Sequence, residues 1–262
     1  FSSIIKRFGK DEGKGFRLVA DLLNRDRNKE RRVEVMEEIV SLHGGAAHAK
    51  VALAQVAAAA GQGEKALAVM RAVHEAHPGE PEYAVFYASI LRSQGNMDRA
   101  LEVLKAQVER DSGERKVRMV FARFLVDAKR YEAAQQQFEL LLKAFPDRSD
   151  VRYGLALLLL QTNHPDKARA HFERLWELKQ YMPQVSFYLG RIAEAQEQPD
   201  EAIRFYRQVD RGDQYLNAQI RIAVIYSGMN ELVRARQHLG AVRRENASDD
   251  VRLFRAEAEL LS

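Results

Sequence analysis

The sequence predicts an all-α solenoid, in which repeated helix pairs stack one after another. Small residues recur about every 34 positions, and a second small residue follows about 12 positions later. A period of this length is typical of repeat arrays, because each unit buries its apolar face only against its neighbours. The first series comprises Ala20, Ala54, Ala88, Ala122, Ala156, Gly190 and Ala223, and the second comprises Ala66, Ala100, Ala134, Ala168, Ala202 and Ala235.

The unit at 81–114 shows why each repeat is predicted to contain two helices. Apolar residues from Ala84 to Leu91 follow the helical spacing of three and four, Gly95 interrupts them, and the spacing resumes at Leu101. The small residues lie where the two antiparallel helices cross most closely. A larger side chain there would push the two backbones apart.

The repeats divide the chain into four predicted segments. Residues 1–12 form an N-terminal segment and linker, 13–46 a degenerate first repeat or helical cap, 47–249 six repeats, and 250–262 the first helix of a further, truncated repeat. In the first repeat, Arg32 takes the place of the crossing alanine, so this start is either a degenerate cap or a different helical pair. The unit at 183–215 is one residue short, at the loop around Arg211.

The two ends of the sequence indicate a longer protein. Val251, Phe254, Leu260 and Leu261 add apolar surface near the C-terminal end, whereas repeat arrays normally end in a polar cap. We therefore expect further repeats after residue 262, or self-association through the open repeat ends. Because Phe1 is not a start methionine, we also expect a segment before it.

The composition argues against several classes of protein. The sequence has no cysteine, which excludes disulfides and thiolate zinc sites in this segment. No apolar run reaches the roughly 18 residues of a membrane-spanning helix. The net charge of +4 is spread in mixed signs rather than concentrated on one face, so we predict no nucleic-acid binding.

The sequence offers no convincing catalytic or metal-binding motif. The glycines from Gly9 to Gly15 surround Lys14, but the phosphate-loop spacing is one residue short and no Ser or Thr follows the lysine, so a flexible linker is predicted. His74 and His77 lack the spacing of a zinc-protease helix and are predicted at an ordinary exposed helix end. Trp176 is predicted to fill a gap between repeats. We predict a protein that is not an enzyme and has no cofactor, metal or catalytic residue.

The repeat pattern resembles the tetratricopeptide repeat (TPR). The resemblance implies a right-handed superhelix whose inner, concave face is lined by first-helix positions 2, 5, 9, 12 and 13 and takes a peptide or helix of a partner protein. In 115–148 the TPR positions are occupied by Phe121, Ala122, Leu125, Tyr131, Ala134, Phe138 and Pro146.

Projected onto this chain, the implied inner face has an apolar and aromatic centre flanked by arginines. Leu157 and Leu160 could instead pack against the next repeat. Glu194, Asn217 and Ile220 also project onto this face. No Lys at position 5 or Asn at position 9 forms the carboxylate clamp of chaperone-binding TPRs, and the asparagine ladder of glycosyltransferase TPRs is missing. The predicted partner-binding residues are Tyr153, Phe187, Leu157, Leu160, Met119, Arg92, Arg123 and Arg191.

Within the TPR proteins, the sequence resembles the outer-membrane TPR lipoprotein adaptors of Gram-negative bacteria. That resemblance implies an adaptor that recruits and activates a periplasmic carboxyl-terminal processing protease toward cell-wall hydrolase substrates. It also implies attachment to the periplasmic face of the outer membrane through a lipid anchor upstream of Phe1. The alternative is a cytoplasmic TPR regulator, or an accessory interaction arm of a glycosyltransferase or envelope-assembly complex.

Overall fold

A computed structural model describes residue 5 and residues 12–111, 113–244 and 247–260. These residues contain fifteen α-helices and no strand. The predicted all-α fold class is therefore confirmed. The chain divides into two compact units, Phe1–Gln137 and Phe138–Ser262.

The first unit contains seven complete helices among its described residues. These are α1 (Glu12–Leu23), α2 (Lys29–Leu42), α3 (Ala47–Ala59), α4 (Gly63–Ala76), α5 (Pro81–Ser93), α6 (Met97–Arg110) and α7 (Arg115–Asp127). The next helix, α8 (Tyr131–Ala144), crosses the division between the units.

The second unit contains seven further helices among its described residues. These are α9 (Ser149–Gln161), α10 (Pro165–Glu177), α11 (Met182–Ala195), α12 (Pro199–Tyr206), α13 (Tyr215–Gly228), α14 (Leu232–Gly240) and α15 (Ala247–Glu259). With eight residues, α12 is the shortest, and the loop after it contains Arg211 and the left-handed Gly212.

Within each unit, helices pack against neighbours that are close in sequence. In the first unit, α3 packs on α1, α2 and α4, and α5 packs on α4, α6 and α7. In the second unit, α11 packs on α10 and α12, and α13 packs on α12, α14 and α15. A stack of repeats requires this local packing, because each repeat contacts only the repeats next to it. The exact division into repeats stays a prediction.

The crossing positions predicted from the sequence are all buried. Every alanine of the two small-residue series has no exposed surface, and Gly190 is buried as well. Between α5 and α6, Gly95 adopts a φ of +81°, a conformation that favours glycine and ends the first helix. The small residues therefore allow the close approach of helices that their period predicts.

Arg32 is buried in the first helix pair, α1 and α2. Its Nη1 donates to the carbonyl oxygen of Asn24 at 3.2 Å, and its Nη2 donates to that of Ala59 at 2.7 Å. Ala59 is the last residue of α3, where backbone carbonyls lack helical partners. Residues 12–42 thus form a helix pair in which an arginine links the ends of neighbouring helices, and whether this pair is a degenerate repeat or a cap stays a prediction.

The last described helix leaves part of its apolar surface open. Val251 is 69% exposed and Phe254 is 76% exposed, as predicted. In contrast, Leu260 is partly buried against the core of the second unit, so it adds less open surface than predicted. Leu261 lies outside the described residues.

Two sequence predictions of flexible or exposed residues differ from the structure at particular described positions. The stretch predicted as a flexible linker enters α1, where Gly13 is buried. The His48 ring packs so closely there that a Cβ on Gly13 would lie 2.8 Å from it. Residues 9–11 lie outside the described residues. His74 is half-buried rather than exposed, because its ring lies against Tyr87 with the ring centroids 5.5 Å apart. Only His77 is exposed as predicted.

Trp176 lies, as predicted, between two repeats, at the contact between the second helix of one and the second helix of the next. Its ring meets the ring of Phe205 edge-on, with the centroids 6.1 Å apart. It is still 40% exposed, so it fills the gap only in part.

In the described part of the chain, no helix combines the length and the apolar character that crossing a lipid bilayer requires.

Candidate partner-binding site

A groove of about 600 Å³ lies between α11 and α13 in the second unit. We call it the α11–α13 groove. Both helices are first helices of predicted repeats, and their facing sides supply its walls. The groove is lined by Phe187, Arg191, Glu194, Ala195, Asn217, Ile220 and Arg221.

The floor of the groove depends on a close contact between α11 and α12. A Cβ on Gly190 would lie 2.7 Å from the Cδ1 and Cε1 atoms of Tyr206, so only glycine leaves room for this ring. Tyr206 has no exposed surface, and its ring lies beside Phe187 with the centroids 5.8 Å apart. The core of the second unit therefore fixes the residues beneath the groove.

Glu194 is the central polar residue of the groove. Its Oε2 accepts hydrogen bonds from the Tyr206 hydroxyl at 2.9 Å and from Arg221 Nε at 3.0 Å. Arg221 Nη2 also donates to Glu194 Oε1, so the guanidinium holds both carboxylate oxygens. Burial, together with the hydrogen bond to Glu194, raises the pKa of Tyr206 above its usual range. The phenol thus stays protonated and donates to Glu194.

Arg191 is exposed in the same groove and pairs with no carboxylate in the described part of the chain. Asn217 is held by its neighbours, since its Nδ2 donates to Gln214 Oε1 at 3.0 Å and its Oδ1 accepts from Arg252. The groove therefore combines one cation that is not neutralised, one ion pair and an apolar floor.

The structure places the predicted site residues of the second unit at different depths. Phe187 and Arg191 line the groove, but Phe187 is only 8% exposed, so its ring belongs mainly to the core. Leu157 and Leu160 are half-buried on α9. Their exposure in a partner-binding groove and their packing against the next repeat both stay predictions. Projecting the sequence onto a helix face predicts which side of the helix a residue occupies, but not how deeply its side chain is buried.

Tyr153 lies outside the groove lining, in a cluster of aromatic rings. Its ring stacks on Tyr181 with the centroids 5.0 Å apart and meets Phe172 and Tyr188 edge-on. Burial is the main cause that raises the pKa of Tyr153 to about 12. Tyr188 also contacts Phe187, so the cluster reaches the residues beneath the groove.

The predicted site residues of the first unit do not form a comparable cluster. Arg92 already pairs with Asp127, with 2.6 Å between Nη1 and Oδ2, and its guanidinium lies 4.4 Å from the centre of the Phe124 ring. Met119 is buried at 9% exposure, whereas Arg123 is exposed. Arg92 and Arg123 are thus both exposed, Arg92 within an ion pair, and the binding role of all three residues stays a prediction.

Sequence reasoning missed two residues that shape the groove. The projection covered only positions of first helices, so it did not include Tyr206, which lies on a second helix. It did not include Arg221, because this residue lies beside the projected positions. The projection did include Glu194, Asn217 and Ile220, without selecting them. A glycine at position 190, in a series otherwise made of alanine, was the available signal for a large ring nearby.

Because of three half-buried histidines, we predict that the folded state becomes less stable as the pH falls. Burial is the main cause that lowers the pKa of His74, His171 and His238, and Arg110, Arg152 and Arg207 respectively add to it. The folded protein therefore binds these protons less readily than the unfolded chain. This contribution to stability is complete above the unfolded histidine pKa of about 6.5 and is lost as the pH falls toward the lower folded values.

Thermal melts from about pH 8 to pH 5 would measure this effect. We expect the melting temperature to fall across this range, and to fall less in His238→Gln. His164→Gln is the matched control, because His164 is exposed. Equal pH dependence in all three proteins would contradict the assignment to His238.

The described residues contain no group of three His, Asp or Glu side chains that could hold a metal ion. That observation leaves the absence of enzymatic activity as a prediction.

Three family models match parts of the chain. Two are described as tetratricopeptide repeat and match residues 125–185 and 160–216. The third is described as anaphase-promoting complex, cyclosome, subunit 3, and matches residues 54–139. A comparison with curated proteins gives no match.

Several solved structures share the fold of this chain. The C-terminal part of a TPR repeat-containing protein from Cytophaga hutchinsonii is 18% identical, with a TM-score of 0.69, and the match covers 90% of this chain and 98% of that one. Pseudomonas aeruginosa pilF is 22% identical, with a TM-score of 0.56 and coverage of 80% and 97%. YrrB, described as a TPR protein with an unusual peptide-binding site, is 20% identical, with a TM-score of 0.56 and coverage of 73% and 95%. Identities this low indicate a shared fold only.

Proposed function

We propose that this chain is a protein-interaction scaffold that binds a segment of a partner protein in the α11–α13 groove, because two tetratricopeptide-repeat models match residues 125–185 and 160–216. The observation that carries this proposal is the exposed Arg191 beside the apolar edges of Phe187 and Ile220, in a cavity of about 600 Å³. Apolar anchors with a neighbouring arginine are typical of sites that dominate binding energy. YrrB, which has the same fold, is described as having a peptide-binding site, and this is compatible with the proposal.

The groove is suited to a short segment rather than a broad surface. Its volume matches that of small binding clefts, and its polar groups converge beside an apolar floor. A partner side chain could rest on Ile220 while a carboxylate pairs with Arg191. Such contacts fix the orientation of a bound segment.

Binding measurements with groove variants test this function. The partner is first isolated by affinity capture with the full-length protein, and its binding is then followed by surface plasmon resonance at two salt concentrations. We expect Arg191→Gln to weaken binding about tenfold, mainly through slower association, and to reduce its salt dependence. Arg211→Gln is the matched control, since Arg211 is an exposed arginine of the same unit outside the groove lining.

Ile220→Asn tests the apolar contribution in the same assay. Because Ile220 is partly buried against the core, its melting temperature must be compared with that of the parent. If both groove variants keep full affinity and a normal melt, the groove is not the binding site.

The proposal of a specific partner and a cellular location rests only on the resemblance to outer-membrane TPR lipoproteins. In this proposal the partner is a periplasmic carboxyl-terminal processing protease together with its cell-wall hydrolase substrates, and the full-length protein is held at the outer membrane by a lipid anchor. Membrane retention of the full-length protein and co-purification of the protease would support it. Recovery in the cytoplasmic fraction would favour the alternative of a cytoplasmic regulator.

A further inference from the structure

We infer that the α11–α13 groove selects partner segments that carry a single carboxylate beside apolar side chains, and that Glu194 sets this limit. The inference rests on the proposed function and adds the charge pattern of the ligand. Two arginines line the groove, but only Arg191 is available to a ligand. Glu194 withdraws Arg221 from binding.

The ion pair between Glu194 and Arg221 is anchored from inside the protein. Glu194 Oε2 accepts from both Arg221 Nε and the Tyr206 hydroxyl, and its side chain is only 21% exposed. A ligand carboxylate that replaced Glu194 on Arg221 would break both contacts of the guanidinium. If Glu194 moved away, the buried Tyr206 hydroxyl would also lose its acceptor, and a buried donor without a partner is costly.

Tyr206 cannot easily move to relieve this constraint. Its ring has no exposed surface and occupies the space that a side chain at Gly190 would need. Phe187 lies against the same ring. The core therefore keeps the Glu194 carboxylate at its place on Arg221.

Arg191 offers the opposite environment. It is exposed, it forms no ion pair with any described residue, and it lies among the same lining residues as Phe187 and Ile220. One ligand carboxylate can pair with Arg191 while a neighbouring apolar side chain covers the floor. A second carboxylate near Arg221 would face Glu194, and like charges brought together across an interface oppose binding.

Selection from a random heptapeptide library displayed on phage tests the inference directly. Parent protein, Glu194→Gln and Arg191→Gln are each immobilised and used to enrich peptides. We expect the parent to enrich peptides with one Asp or Glu beside apolar residues. Glu194→Gln should enrich peptides with two or more acidic residues about tenfold more than the parent does, and Arg191→Gln should lose the preference for acidic residues.

Tyr206→Phe provides a second variant that keeps the charge of Glu194 but removes its internal anchor. We expect it to accept peptides with two acidic residues to an intermediate extent. Circular-dichroism melts of all variants establish that each protein is folded at the selection temperature.

The outcomes separate the two proposals. If the parent enriches no peptide, or if Arg191→Gln enriches the same peptides as the parent, the proposed groove function fails and the inference fails with it. If the parent enriches acidic peptides that depend on Arg191, but Glu194→Gln enriches peptides with the same number of acidic residues, the function stands and the role of Glu194 is refuted.

Discussion

Replacement of Tyr206 by alanine should lower the free energy of unfolding by about 3–5 kcal/mol, the range observed when large buried aromatic residues are truncated. Tyr206 is fully buried, contacts Phe187 and donates its hydroxyl to Glu194. Truncation would leave a cavity between α11 and α12, because Gly190 has no side chain to fill it.

Urea denaturation of three variants measures this effect and its parts. Tyr206→Phe keeps the ring and should lose about 1.5–3 kcal/mol, the contribution of a hydrogen bond to a charged group. Tyr181→Ala is the control, because Tyr181 is 42% exposed and its stacking on Tyr153 should contribute only about 0.5–1.5 kcal/mol. A loss for Tyr206→Ala no larger than that for Tyr181→Ala would mean that the core closes around the missing ring.

The helical architecture could be predicted because it depends on local and periodic features. A small residue at a helix crossing is required by the approach of two backbones, so it recurs in every repeat and is visible without knowledge of its neighbours. The buried alanines at 54, 88 and 122 illustrate this requirement. The bounds of α5 follow in the same way from Pro81 in its first turn and from Gly95 after its end.

The candidate site could be predicted only in part, because its properties depend on contacts between repeats. Arg92 projects onto the inner face, yet it pairs with Asp127, which lies 35 residues later. Polar pairs about one repeat apart recur, since Gln55 bonds to Asp21 at a separation of 34 residues. Searching for complementary residues at this separation would have identified Arg92 as already neutralised.

Depth was the second property that the projection could not supply. Phe187 and Met119 lie at inner-face positions, but neighbouring helices cover them to 8% and 9% exposure. Gly190 shows what additional information the sequence holds. Gly190 accommodates the ring of Tyr206. Tyr206 lies at the second-helix position that is occupied in other repeats by Met70, Leu104, Phe138 and Phe172.

Replacement of Arg32 by alanine should lower the free energy of unfolding by about 1.5–3 kcal/mol, the contribution of hydrogen bonds to a charged group. The Arg32 side chain is buried and donates to the carbonyl oxygens of Asn24 and Ala59. These carbonyls lie at the C-terminal ends of α1 and α3, where the helix dipole favours a positive charge. Without the guanidinium they would lose their charged partner.

Denaturation of Arg32→Ala, Arg32→Met and Arg31→Ala separates the charge from the volume. Arg32→Met keeps most of the aliphatic stem, so a loss close to that of Arg32→Ala would assign the effect to the hydrogen bonds. Arg31 is exposed and its side chain contributes no bond to this region, so Arg31→Ala should change the free energy of unfolding by no more than about 0.5 kcal/mol. If Arg32→Met is as stable as the parent, the aliphatic stem accounts for the whole contribution of Arg32. The arginine then only fills space at the helix crossing, where other repeats have alanine, and the hydrogen bonds to the helix ends add no stability.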